Sequence, residues 1–240
     1  MPDNDYGRVF TLKLNTAFET GDNVTAKFDI LTKAAPGSVV NNIDPNYYDG
    51  SLLANDAQWF AYGGLLRRTA AFNTEPAEDI VSGYRQYQYG PEKAVFNPGL
   101  FKSSLDTAST NVSRYIAFGG AASAPSENLA WYFSGMQATA GGPIYEVSAN
   151  RTTNPSVVTN TMITLDMKEQ QNEKWKKSAL PSQIVGRANP EVVWVPVGAK
   201  GILLVLGGVV FPNFAETVPR SPNETESVSI PFYPFHFHQY

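Results

Sequence analysis

Three apolar runs end in the same way: Trp59-Phe60-Ala61-Tyr62-Gly63-Gly64, Tyr115-Ile116-Ala117-Phe118-Gly119-Gly120 and Leu203-Leu204-Val205-Leu206-Gly207-Gly208. The unit recurs after 56 and then 88 residues, which brackets a repeat of about fifty residues with insertions. A buried strand that turns sharply under close-packed neighbours favours two residues without Cβ and with free access to positive φ. Chance supplies doublets in a chain with 19 glycines, and Gly141-Gly142 follows no such run. Three of the four doublets do follow equivalent apolar stretches, so Gly63, Gly64, Gly119, Gly120, Gly207 and Gly208 read as marks of a structural repeat.

Outward from these runs the chain keeps one texture. Short stretches rich in Val, Ile, Phe, Tyr, Trp and Thr alternate with clusters of Gly, Pro, Asn and Asp, and helical periodicity is nearly missing. The expected class is all-β. Strands are expected at Arg8–Leu14, Thr25–Leu31, Gln58–Tyr62, Tyr84–Tyr89, Arg114–Phe118, Leu129–Ser134, Thr161–Met167, Val192–Val197 and Ile202–Leu206. Residues 168–177 are polar; they are read as a hairpin turn that delivers Trp175 into a strand, with a short helix as the alternative their propensity allows.

Composition sets the outer bounds. With 240 residues, 42% of them hydrophobic and 17% charged, the chain carries enough apolar surface for one large or two small domains and argues against disorder. Eighteen basic against 22 acidic residues leave a net charge of -4, and no basic run exceeds the one at 174–177, so nucleic acid is a poor partner. The longest apolar stretch, Gly201 to Phe211, is about half of the roughly 20 residues a spanning helix needs. No membrane span is expected, and the N-terminus Met-Pro-Asp-Asn-Asp-Tyr-Gly does not read as a signal peptide.

The doublets, the aromatic strand after them and a Trp before the next unit resemble kelch repeats of a β-propeller. The likeness is strongest from 161 onward, where Thr161–Met167 resembles a third strand and Lys174-Trp175 a fourth strand with its tryptophan. Gly186-Arg187, Val192–Val197 and Ile202–Gly208 then resemble the opening of the next blade. The stretches Asn128–Gly135 and Gly186–Val197 resemble those of uncharacterised kelch-repeat proteins of filamentous fungi, whose propellers are generally extracellular and often carried by a membrane-anchored parent. Phe28 and Phe96 stand about where the fourth-strand Trp of earlier units belongs. The count is a half blade at 8–31, two blades between 50 and 180, and a half blade at 185–211, about three four-stranded antiparallel blades. Propellers close with roughly four to eight, so the expectation is a partial kelch propeller over 1–211, an irregular or disordered tail over 212–240, and self-association through uncovered blade edges.

Candidate chemistry is sparse. Without cysteine there is no thiolate nucleophile, disulfide or Cys-ligated zinc. Galactose oxidase, the best-known catalytic relative of kelch architecture, uses a Tyr-Cys cross-link and histidine copper ligands; that chemistry is excluded for this chain. The two histidines, His236 and His238, share one face of any strand but have no carboxylate after Glu226, so no metal site is assigned. Neither Gly-x-Ser-x-Gly nor His-Glu-x-x-His occurs. A glycosidase-type carboxylate pair would be drawn from Asp44, Asp49, Asp56, Asp106, Glu127, Asp166 and Glu191, each of which also has an ordinary turn or surface explanation.

Four Asn-x-Ser/Thr sequons, at Asn23, Asn111, Asn150 and Asn223, fit an exported parent protein. Together with the resemblance they imply a non-catalytic propeller segment without cofactor, binding a protein or glycan at a fungal cell surface or outside the cell. Segments 65–80 and 135–160 are the candidate binding loops. The alternative is part of a carbohydrate-active propeller enzyme.

Overall fold

The computed structural model describes residues 8–12, 17–32, 47–66, 77–86, 88–89, 95–96, 99–137, 157–198 and 201–210. It divides into two compact units, Met1–Asn46 and Tyr47–Tyr240. In the first, β1 (Arg8–Leu12) pairs antiparallel with β2 (Phe28–Thr32). The strand expected at Thr25–Leu31 starts later, because Val24–Lys27 closes a 3-10 turn capped by the Asn23 side chain, which accepts from the Thr25 N–H at 3.1 Å.

The second unit opens with a four-stranded antiparallel sheet of β3 (Tyr47–Ala54), β4 (Gln58–Leu66), β5 (Ile80–Arg85) and, after a short ribbon of β6 (Gln88–Tyr89) with β7 (Val95–Phe96), β8 (Gly99–Ser104). A one-turn helix, α1 (Thr107–Thr110), leads to β9 (Ile116–Ala117). The second four-stranded sheet runs β10 (Gly120–Ala124), β11 (Leu129–Phe133), then, past β12 (Met136–Gln137) and β13 (Val157–Val158), β14 (Thr161–Asp166) and β15 (Lys174–Ala179). The strand pair β16 (Glu191–Val195) and β17 (Ile202–Leu206) follows. The described residues are therefore all-β and propeller-like, with almost no helix among them. The polar segment 168–173 is the turn that hands Trp175 to β15.

One local device repeats three times. The first strand of each sheet meets a residue in the left-handed region at the same level: Asp49 (φ 56), Phe118 (φ 59) and Asn189 (φ 52). The second strand meets a pair of them: Gly63-Gly64 (φ 70 and 88), Ser134-Gly135 (φ 55 and 92) and Gly207-Gly208 (φ 65 and 83). The strands bend there and, in the first two sheets, continue beyond. Tyr47-Tyr48 still pairs with Leu65-Leu66, Met136-Gln137 lies between β9 and β13, and Ala188 bridges to Val209. Two of the three glycine doublets thus mark the bend in a second strand. Gly119-Gly120 does not: it leads into β10, whose first residue is Gly120, and the structural counterpart in that sheet is Ser134-Gly135, where a serine takes the conformation expected of glycine.

The core lies in seams between sheets. Leu53, Phe60, Tyr62 and Val81 of the first sheet pack on Ala130, Tyr132, Ile163, Leu165 and Trp175 of the second. Ala122, Phe133 and Met162 on the opposite face of the second sheet pack on Val192 and Leu203. Beyond the bends, Leu65, Ala117, Met136 and Ala188 form a third, smaller cluster drawn from all three sheets. The fourth-strand aromatic of the first sheet is Phe101, edge-on to Phe60 at 5.4 Å, and not Phe96, which sits in the two-residue β7; Phe28 stands in β2 and is 39% exposed.

Candidate functional site

The bends build a rim along one end of the sheets. The Phe118 N–H donates to the Asp49 carbonyl at 3.0 Å, and the Asn189 N–H donates to the Phe118 carbonyl at 2.7 Å. Three successive sheets are thereby stitched at one level. Gly135, whose N–H donates to Arg187 O at 3.2 Å and where a Cβ would meet Ala117 O at 2.6 Å, and Ser134, whose hydroxyl donates to Thr159 O at 2.6 Å and accepts from Arg187 N at 2.8 Å, complete the stitch from the second strands.

Behind the rim two arginines and two tyrosines are engaged, while Gln58 Nε2 and Trp175 Nε1 are buried without a hydrogen-bond partner among the described residues. The Arg114 guanidinium, buried, lies 3.7 Å over the Tyr47 ring and donates to Gly63 O at 3.4 Å; Arg187 donates to Gly207 O at 3.0 Å. Tyr62 and Tyr132 meet edge-on at 5.0 Å. The Tyr62 hydroxyl donates to Ser113 O at 2.7 Å, and the Tyr132 hydroxyl accepts from the Gly119 N–H at 2.8 Å. Burial drives both phenols above the ordinary tyrosine range; the other tyrosine adds to this for Tyr62, and the charge of Asp49 does for Tyr132. Asp49 itself is pushed up by partial desolvation. Deeper in the first seam, Arg85 donates to Glu173 at 2.7 Å and to Gln58 Oε1 at 2.9 Å, with its guanidinium 3.6 Å over Phe101. The two charged side chains are 7% and 4% exposed, a buried pair that no motif in the sequence announces.

The residues singled out from sequence fall in separate places. Trp175 is buried against Phe60 at 5.8 Å and Tyr62 at 5.3 Å. Asn23 and Asn111 are exposed, Asn23 at its 3-10 turn and Asn111 at the left-handed C-cap of α1 (φ 55). Asn150, Asn223, His236, His238, Asp44 and the whole of 212–240 lie outside the described residues. Asp56, Glu127 and Glu191 are exposed; Asp106 accepts from the Ser109 hydroxyl and Asp166 from the Lys168 N–H, so each closes its own turn. Among the described residues no three His, Cys, Asp or Glu gather as a metal site, and no helix is long and apolar enough to cross a membrane.

No protein-family model and no curated protein matches the chain. Among solved structures it is similar to one titled "Structure of YjhT", at 15% identity and a TM-score of 0.41, over 69% of this chain and 40% of that one. The chain thus spans less than half the length of that structure. The all-β assignment stands on the strand pairing itself.

Proposed function

We propose that this chain is a kelch-type propeller segment of an extracellular or cell-surface protein, and that it binds a protein or glycan at its rim without catalysing a reaction. The observation that carries the reading is the common origin of two long inter-strand segments of the second unit. Leu66, before 67–76, and Gln137 and Val157, on either side of 138–156, all stand at the strand ends beyond the bends. Leu65 and Met136, just inside those ends, share one cluster, so both segments leave the same rim. Val157 there is 62% exposed, and insertions at one end of successive blades are where repeat folds carry their binding surface. Buried Arg85, Glu173 and Arg114 are committed to packing and offer no reacting group. Exposed Asn23 and Asn111 are open to glycosylation in an exported parent.

The test is a glycan array and a cell-surface protein screen on the full chain, repeated with 138–156 and then 67–76 replaced by Gly-Ser linkers of equal length. Binding that falls at least tenfold on either replacement, with an unchanged thermal melt, is expected. Binding that survives both replacements, or turnover of aryl glycosides by the unaltered chain, overturns the reading.

A further inference from the structure

The stitched level of the rim carries side chains as well as peptides. Its three left-handed residues, Asp49, Phe118 and Asn189, follow one another through the Phe118 N–H to Asp49 carbonyl and Asn189 N–H to Phe118 carbonyl bonds. Bonds of this kind set neighbouring main chains about 5 Å apart, and hence the ends of the row roughly 10 Å apart. One φ and one hydrogen-bond pattern give the three side chains a common setting. Asp49 and Asn189 are exposed, and Phe118 is half-buried on the cluster of Leu65, Ala117, Met136 and Ala188. The Asp49 carboxylate is near enough to Tyr132 for its charge to act on that phenol, whose hydroxyl accepts from the Gly119 N–H. The carboxylate therefore lies beside Phe118, the residue before Gly119.

The residue types at this level are informative. Asp and Asn enter the left-handed region readily, whereas a bulky aromatic does so only under strain that glycine would remove. Phenylalanine nonetheless stands there, directly before a glycine doublet. Among the described residues neither the Asp49 carboxylate nor the Asn189 carboxamide makes a hydrogen bond.

We infer that Asp49, Phe118 and Asn189 form a binding row for a neutral saccharide of about two rings: the carboxylate and the carboxamide take hydroxyl groups at its ends, and the phenylalanine ring takes a C–H face between them. The inference rests on the rim-binding reading above and gives it a ligand class. A carboxylate offers acceptors only and a carboxamide offers donor and acceptor, the complement of adjacent hydroxyls, while the negative face of an aromatic ring suits polarised C–H groups. The length of the row matches a disaccharide, whereas a specific protein interface needs about 800 Å² from each partner. Asp49 disfavours an anionic sugar, and the arginines behind the rim, Arg114 and Arg187, are engaged by Gly63 O and Gly207 O.

The experiment titrates the isotope-labelled full chain with cellobiose, lactose, mannobiose and chitobiose, and with a uronic-acid disaccharide, reading amide shifts by NMR. Shifts at the Asn189 carboxamide and the Gly50 and Phe118 amides with at least one neutral sugar are expected. If no neutral sugar moves them, or the uronic-acid sugar binds as tightly, the inference is overturned. Asp49→Gly and Asn189→Gly keep the left-handed backbone without the side chain, and each should weaken binding about tenfold with an unchanged thermal melt. Phe118→Leu keeps an apolar contact with the cluster and should lose binding, which Phe118→Tyr retains. Variants that bind as the parent does overturn the row. Should every disaccharide fail while a protein partner is still captured and lost on loop replacement, the row is wrong and rim binding stands; if neither class binds, both fall.

Discussion

The first seam is sealed and the second is shallow. Between the two four-stranded sheets lie Phe60, Tyr62, Tyr132 and Trp175, all buried, with the Arg85–Glu173 pair at the margin. Between the second sheet and the β16–β17 pair lie Val192, Leu203, Phe133 and Met162, with Trp131 and Trp194 only partly covered. The same alternation of inward and outward side chains builds both. The difference comes from the number of strands opposite: four strands bury a large aromatic on every side, whereas two leave its far edge in water. Depth of a seam is thus a property of the neighbour, not of the residue.

Truncation of the two tryptophans separates the seams most sharply. Trp175→Ala should cost about 3–5 kcal/mol of unfolding free energy, and Trp194→Ala about 1–2 kcal/mol, because less area leaves water at that site; equal losses in urea melts would show the seams to be alike. Next, Glu173→Ala leaves Arg85 charged and unpaired in the first seam, at about 3 kcal/mol, while the double change Arg85→Met with Glu173→Leu should recover most of it. A double-mutant cycle reads the difference.

Alkaline pH acts on the same seam. Tyr62 and Tyr132 have folded values above the reference of 10.0, so below that reference both folded and unfolded chains hold the protons and the stabilisation is complete. As pH rises past it, the unfolded chain releases protons that the folded chain keeps. Stability should then fall by about 1.4 kcal/mol per pH unit for each tyrosine, and Tyr62→Phe should halve the slope. The second-seam cluster contains no tyrosine, so its local opening should show no such term.

The smallest effect compares the bends. Gly207→Ala meets nothing within 4 Å and should cost only the left-handed penalty of about 1–2 kcal/mol. At Gly63 a Cβ meets Ile116 O at 2.5 Å, and Gly63→Ala should cost roughly 1 kcal/mol more.

The sequence announces the parts of this fold that rest on large β-formers and hides those that rest on small or polar ones. Gln58–Tyr62, Leu129–Phe133, Thr161–Asp166 and Ile202–Leu206 are legible because their side chains carry the alternation. Tyr47–Ala54 is not, since Asp49-Gly50 looks like a turn and is in fact a bend inside a strand. Gly120–Ala124 is hidden because Gly, Ala and Ser have little strand preference; they pair there because small residues let Trp131, Phe133 and Val192 close over them, packing overriding propensity. Arg114–Phe118 shortens to Ile116-Ala117, and Tyr84–Tyr89 gives way to Ile80–Arg85, for a related reason: the aromatics suggest strand, but hydrogen bonding to the partner strand sets its limits. Ser134-Gly135 carries the signal that Gly119-Gly120 imitates. In the first seam, Arg85 and Glu173 are 88 residues apart, a juxtaposition only the topology produces.

The stitched row of peptides has a consequence for measurement. The amide hydrogens of Phe118 and Asn189 are each tied to a carbonyl in the preceding sheet, so exchange with deuterium at either one requires the sheets to part, not merely a strand to fray. Phe118 times the opening of the sealed seam and Asn189 that of the shallow one. Two protons, read in one spectrum, therefore distinguish a molecule that opens blade by blade from one that opens all at once.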